Sequence, residues 1–180
     1  MTDNRKNLTL GSLFDGSGGF PLGGVLAGIR PVRASEIEPF RIRVTTKRFP
    51  GMKHYGYVSR LDGGKLPPVD IITFGSPCQD MSIAGKRAGL DGSRFSLFFQ
   101  AARIVKEMRC ATDGKYPRFI VWENAPGAFS SNGGADFHAV LPEIRAVKDC
   151  TLSAPRAAKW PDAGEALADG FSLAWRVLDA

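Results

Sequence analysis

The chain has few of the residues that staple small or secreted proteins together. Cys78, Cys110 and Cys150 are its three cysteines, an odd number without C-x-x-C spacing. That excludes a disulfide framework and points to free thiols in a reducing compartment. The two histidines, His54 and His138, are too few to complete a zinc site with them, so no metal is expected. No run of about 18 apolar residues exists, which leaves no helical membrane span. Met1 to Asn7 lacks the apolar core of a signal peptide. Neither an internal repeat nor a G-x-x-x-x-G-K-[ST] phosphate loop occurs.

What is present suits a soluble α/β protein. The 180 residues make one domain or part of a larger one, and 43% hydrophobic residues are ample for a core. Lysine and arginine number 24 against 18 acids, a net charge of +6. That favours an anionic partner, nucleic acid first. A merely basic soluble protein fits the charge equally well.

Strand and helix patterns alternate. Leu8–Phe14, Pro31–Glu36, His54–Val58, Val69–Phe74 and Phe119–Trp122 read as strands. Phe20–Gly28, Pro39–Phe49, Arg94–Arg109 (with Ser93 as N-cap) and Asp136–Ala146 read as helices. Gln79–Gly92 reads as a long polar loop, Asp149–Gly164 as a Pro/Ala loop and Phe171–Leu178 as a final strand. The alternation predicts a mostly parallel sheet with right-handed crossovers. A chain that stops just after a strand is expected to be the N-terminal portion of a longer protein.

Three segments carry the chemistry. Phe14-Asp15-Gly16-Ser17-Gly18-Gly19-Phe20 follows the first strand and opens a helix. Its glycines permit a sharp turn and bring backbone N–H groups close to a ligand. Pro21 stands where a G-x-G-x-x-G fingerprint needs its third glycine, which weakens a dinucleotide reading. Glu36 ends the second strand 20 residues after Gly16, a distance at which an acid commonly meets a ribose. A nucleoside cofactor without a large phosphate group fits; a structural turn plus a surface acid is the bland alternative.

Gly75-Ser76-Pro77-Cys78-Gln79 delivers a cysteine at the C-terminal end of a strand, the edge where open α/β sheets bind ligands. Any thiolate character must come from a helix N-terminus, nearby cations or the substrate, because no histidine is close in sequence. A Cys–His dyad through His54 or His138 has no supporting motif. Glu123-Asn124 ends a third apolar strand, where partial desolvation would raise a carboxyl pKa; an acid in water is the competing reading. The loop from Ser82 to Arg94 is basic and glycine-punctuated, suited to a phosphate backbone or simply to solvent.

Together these motifs resemble the cytosine-5 DNA methyltransferases of bacteria and phages, from about Leu8 to the chain end. The resemblance implies a Rossmann-like, S-adenosylmethionine-dependent fold. Phe14, Asp15, Gly16, Ser17, Gly18, Gly19, Phe20 and Pro77 would form the cofactor pocket, with Glu36 on the ribose and Ile37 against the adenine. Cys78 would be the nucleophile and Glu123 the acid, with Gln79 and Asn124 in support. Ser82, Lys86, Arg87 and Arg94 would hold double-stranded DNA around a flipped cytosine.

Two departures stand out. Gly56-Tyr57 occupies the place of a family Gly-Asp pair, so Tyr57 stands where an acid would reach adenine. Ala125 replaces a usual valine. The resemblance makes residues 1–180 a partial catalytic domain, with a cofactor half at about 8–65 and a catalytic half at about 66–180. The target recognition domain is absent, and a C-terminal complementing chain joins DNA among the expected partners. The setting implied is restriction-modification or phage protection in a bacterial or phage-infected cytoplasm. Its rivals are an inactive or split fragment that binds cofactor or DNA, an RNA cytosine methyltransferase, and an unrelated thiol enzyme.

Overall fold

The computed structural model describes residues 8–75, 96–148, 160–168 and 170–178. They form two compact units.

The first unit holds five parallel strands: β1 (Thr9–Leu13), β2 (Arg30–Ser35), β3 (Lys53–His54), β4 (Ile71–Gly75) and β5 (Phe119–Glu123). Helices α1 (Gly19–Leu26), α2 (Pro39–Arg48) and α3 (Ser96–Ala111) connect them. The strand order is β3-β2-β1-β4-β5, so the winding reverses between β1 and β4. In such a sheet the crevice for a ligand opens at that reversal, beyond the carboxyl ends of the strands.

Burial explains the order. β1 and β4 lie inside the sheet and are buried along almost their whole length, with Leu10, Leu13, Ile72 and Phe74 among the buried side chains; only β4 reads as a nearly continuous apolar run. One face of α3, made of Phe98, Ala101, Ala102, Val105 and Met108, is buried at helical spacing. The Phe98 ring packs on Phe74 at 5.9 Å and on Trp122 at 5.3 Å between centroids. On α1, Gly24 leaves room for Leu10, since a Cβ there would lie 3.3 Å from its Cδ1. Helix α2 starts at Pro39, with the Glu38 side chain accepting from the Phe40 and Arg41 amides.

Gly11 is small for a specific reason. The buried Arg33 side chain crosses it, and a Cβ at Gly11 would lie 2.8 Å from Arg33 Nε. Arg33 donates to Met108 Sδ, and burial pulls its pKa down to about 10.

The second unit contains α4 (Ala135–Arg145) and an antiparallel hairpin of β6 (Ala163–Ala168) and β7 (Phe171–Arg176). Its core is aromatic. Phe137 meets Phe129, Trp160 and Trp175 edge to face, with centroids 4.6, 4.8 and 5.8 Å away. The Trp160 indole N–H donates to Gly134 O.

Three expectations are corrected. The start of β6, Ala163-Gly164, falls in a segment read as loop. Small residues carry little strand signal, yet Gly164 is required because the Trp175 ring lies over it. The final strand, β7, pairs with β6 in its own sheet and does not extend the parallel one. The expected strand over His54–Val58 is only Lys53–His54, and Val58–Arg60 turns into a 3₁₀ helix instead. The loop expected at Gln79–Gly92 and the N-cap Ser93 lie outside the described residues.

Candidate cofactor and catalytic site

The glycine loop leaves β1 in left-handed backbone. Phe14 has φ 53°, Gly16 58° and Gly18 88°. The positive φ at Gly18 and its surroundings both demand glycine: a Cβ would lie 2.9 Å from the Phe49 ring and from Thr45 Cγ2 of α2. The loop closes on itself through Gly18 N–H to Asp15 O. It is tied to β2 through Asp15 N–H to Ser35 O at 3.0 Å. Ser17 and Gly19 are exposed, Phe14 and Phe20 half-buried.

Glu36 is buried at the end of β2 and organises the loop. Its Oε2 accepts from Gly16 N–H at 2.8 Å, and its Oε1 accepts from Ile37 N–H at 2.8 Å and Glu38 N–H at 3.0 Å. Arg41 stands 3.8 Å from Oε2. Of the roughly four lone-pair positions of a carboxylate, three are taken, and the remaining one is on Oε2. Ile37 beside it is 63% exposed, an apolar side chain presented at a strand end.

Asp15 contrasts with Glu36. It is 5% exposed, yet neither carboxylate oxygen has a hydrogen-bond partner. Burial pushes its pKa up to about 6; the Ser12 hydroxyl pulls the other way, and the charge on Glu36 adds to the rise. Ser12 Oγ is near enough to favour the charged form but is itself without an aligned partner.

The ends of β4 and β5 meet. Gly75 pairs with Glu123 in the parallel ladder. The Glu123 carboxylate folds back over Gly75, so that a Cβ there would be 2.8 Å from Oε2; Phe20 of α1 lies 3.9 Å from the same point. Phe20, Gly75 and Glu123 are thus brought together beside the glycine loop. Glu123 is exposed, so the desolvation expected at this strand end is not in place. In the second unit, Asn124 Oδ1 accepts from Ala125 N–H.

Tyr57 follows β3 at the same edge of the sheet and is 42% exposed, after Gly56 with φ 76°. His54 is not at the cysteine's strand. It sits on β3, three strand positions from β4, or roughly 14 Å. Its Nε2 is 3.0 Å from Thr45 Oγ1, and burial lowers its pKa against the pull of Glu36. Pro77, Cys78, Gln79, Ser82, Lys86, Arg87 and Arg94 lie outside the described residues. Among the described residues no cluster could hold a metal ion, and no helix is long and apolar enough to cross a membrane.

The residues present fit a cationic nucleoside: a glycine loop with open space over Gly16 and Gly19, an acid at the second strand end, an exposed apolar side chain and a buried carboxylate without a partner. Sequence reasoning missed the lack of a partner at Asp15. Only the apolar Leu13-Phe14 before it hints that the loop starts inside the core.

Comparisons with known proteins agree. The family model for C-5 cytosine-specific DNA methylases matches residues 8–147. A DNA N-6-adenine-methyltransferase of Escherichia phage P1 is 31% identical over 202 residues, covering 97% of this chain and 26% of that protein. The type II methyltransferase M.NgoBV of Neisseria gonorrhoeae is 38% identical over 149 residues, covering 83% of this chain and 30% of that protein. Among solved structures, a DNA modification methyltransferase encoded within an E. coli prophage superposes with a TM-score of 0.61 at 25% identity, covering 89% of this chain and 40% of that one. The S. pombe Dnmt2 methyltransferase shares the fold, with a TM-score of 0.56 at 21% identity over 78% of this chain and 41% of that one. The chain therefore spans between 26% and 41% of the length of these proteins. Its Rossmann-like parallel sheet and a match running from β1 into the residues after α4 lead to one conclusion: the chain belongs to the C-5 cytosine-specific DNA methylase family.

Proposed function

We propose that the chain is the cofactor-binding and nucleophile-bearing part of an S-adenosylmethionine-dependent DNA (cytosine-5-)-methyltransferase. The observation that carries this is the convergence of four strand ends at one edge. β1 and β2 bring Asp15, Gly16 and Glu36, while β4 and β5 bring Gly75 and Glu123. Three residues after Gly75 the sequence places Cys78.

Bound S-adenosylmethionine would supply an electrophilic methyl group. The chain's own residues do the rest. Gly16 and Gly18 let the loop backbone approach the cofactor, Glu36 offers its free lone pair to the ribose, and Ile37 packs on the adenine. Tyr57 borders that pocket in place of an acid. The Cys78 thiolate attacks C6 of a flipped cytosine while Glu123 delivers a proton to N3. That makes C5 electron-rich enough to take the methyl group. Loss of the C5 proton to a base then expels the Cys78 thiolate, and return of the N3 proton to the Glu123 carboxylate leaves the neutral aromatic ring. Asn124 holds the turn after Glu123 through Ala125 N–H, Gln79 flanks the thiol, and Ser82, Lys86, Arg87 and Arg94 contact phosphates. DNA contact and turnover are properties of the longer polypeptide that the relatives represent.

The test is covalent trapping. With the remaining family segments supplied, duplex DNA carrying 5-fluorocytosine should form an adduct that survives denaturing electrophoresis. Cys78→Ala should abolish it, whereas Cys110→Ala and Cys150→Ala should not. An adduct in Cys78→Ala would refute the nucleophile.

The phage P1 relative's name raises adenine N-6 methylation as a second reading. An exocyclic amine attacks a methyl donor directly and leaves Cys78 idle. Chromatography of digested product separates N-6-methyladenine from 5-methylcytosine.

A further inference from the structure

A buried carboxylate with no partner is costly in a fold and is commonly retained where a ligand completes it. Asp15 is such a group: it is 5% exposed, and both of its oxygens lack a hydrogen-bond partner. Among the described residues, the groups that act on its charge are the Ser12 hydroxyl from its own strand and the Glu36 carboxylate from β2. Neither is a cation. Glu36, the nearby alternative, already accepts three backbone N–H groups. Of two acids at one loop, one is used by the fold and the other is not.

We propose that the Asp15 carboxylate is the counter-charge for a cationic group of the bound methyl donor, its α-ammonium or its sulfonium centre. This rests on the reading of the glycine loop as the S-adenosylmethionine site and deepens it. Selectivity follows from the chemistry. A neutral adenosine thioether fills the same nucleoside pocket but leaves the carboxylate buried and unpaired, so it gains nothing from Asp15. The charged donor completes it. Because the free carboxyl is held near pH 6 by burial, binding a cation at that pH releases a proton.

Calorimetry on the 180-residue chain tests this with three ligands. S-adenosylmethionine carries both cations, S-adenosylhomocysteine only the ammonium, and methylthioadenosine neither. Asp15→Asn, and Asp15→Ala as a second variant, should weaken S-adenosylmethionine by about ten- to one-hundred-fold, the range of a charge-assisted hydrogen bond. Methylthioadenosine should bind both variants as it binds the parent. An equal loss for S-adenosylhomocysteine assigns the ammonium, and an unchanged affinity assigns the sulfonium. Glu36→Gln, by contrast, should weaken all three. Unchanged S-adenosylmethionine binding in Asp15→Asn, or parallel loss of all three ligands, would overturn the proposal. If the parent chain binds none of them, the cofactor site itself is wrong and the inference falls with it.

Discussion

Glu123 lies across the bare Cα of Gly75: a methyl group at that position would approach Oε2 within 2.8 Å. The two residues are partners in the parallel ladder between β4 and β5, 48 positions apart in sequence (123 minus 75). The glycine that ends the cysteine's strand thus sets where the proposed acid rests.

Gly75→Ala follows directly. The threatened atom is the far end of a flexible side chain, so the carboxylate can move and stability should change by less than about 1 kcal/mol. Adduct formation with 5-fluorocytosine DNA should slow by at least about tenfold in the completed enzyme, because the proton donor is displaced. Cofactor affinity should not change. A variant that traps DNA at the parental rate would show that this carboxylate position is irrelevant to the chemistry.

Gly18→Ala should behave in the opposite way. The new Cβ meets Thr45 and the Phe49 ring at 2.9 Å, and φ at this position is 88°. Strain at a left-handed non-glycine residue and the clash each cost on the order of 1–3 kcal/mol. Urea unfolding should report a loss of at least about 2 kcal/mol, and calorimetry a weaker S-adenosylmethionine complex.

Glu36→Gln leaves at least one of the Gly16, Ile37 and Glu38 amides facing an NH₂ group in place of an acceptor. A buried donor without its acceptor costs about 1–3 kcal/mol. The thermal midpoint should fall even with no ligand present, and hydrogen exchange at the Gly16 amide should accelerate. An unchanged midpoint would mean that the loop does not depend on this acid.

These relationships were unevenly legible in the sequence. β4 and β5 announce themselves, because each is an apolar or β-branched run that ends at a glycine or acid, whereas β1 and β2 are mixed in composition and were legible chiefly from the glycine loop and the acid that follow them. Glu36 was readable from its spacing to Gly16. Its three amide bonds were not, since they depend on where α2 starts. The Gly75–Glu123 contact depends on the register of two strands with α3 between them, which no local pattern encodes. The hairpin was hidden for another reason: Ala163-Gly164-Glu165-Ala166 is made of weak strand formers, and the aromatic rings that justify it are scattered from Phe129 to Trp175. His54 was an open candidate as a base until the strand order put it on β3, bonded to Thr45.

Asp15 makes stability depend on pH in an unusual direction. Unfolded, its carboxyl titrates near 3.8; folded, burial holds it near 6. Well below pH 4 both states are neutral, and the fold bears no penalty from this group. Above pH 6 both are ionised, and the fold carries a buried charge without a partner. Between those values the fold loses stability as pH rises, by up to about 3 kcal/mol for a shift of roughly two units. Asp15→Asn removes the charge and keeps the shape. The variant should therefore unfold at higher urea than the parent at pH 7 and at nearly the same urea at about pH 3. Saturating S-adenosylmethionine should narrow that gap at pH 7 by about 1.4–2.7 kcal/mol, the equivalent of a ten- to one-hundred-fold affinity difference, because only the parent gains a counter-ion along with its ligand. A parent chain more stable than Asp15→Asn at pH 7 without ligand would mean that the carboxylate already has a partner, and the cation site would have to be sought elsewhere.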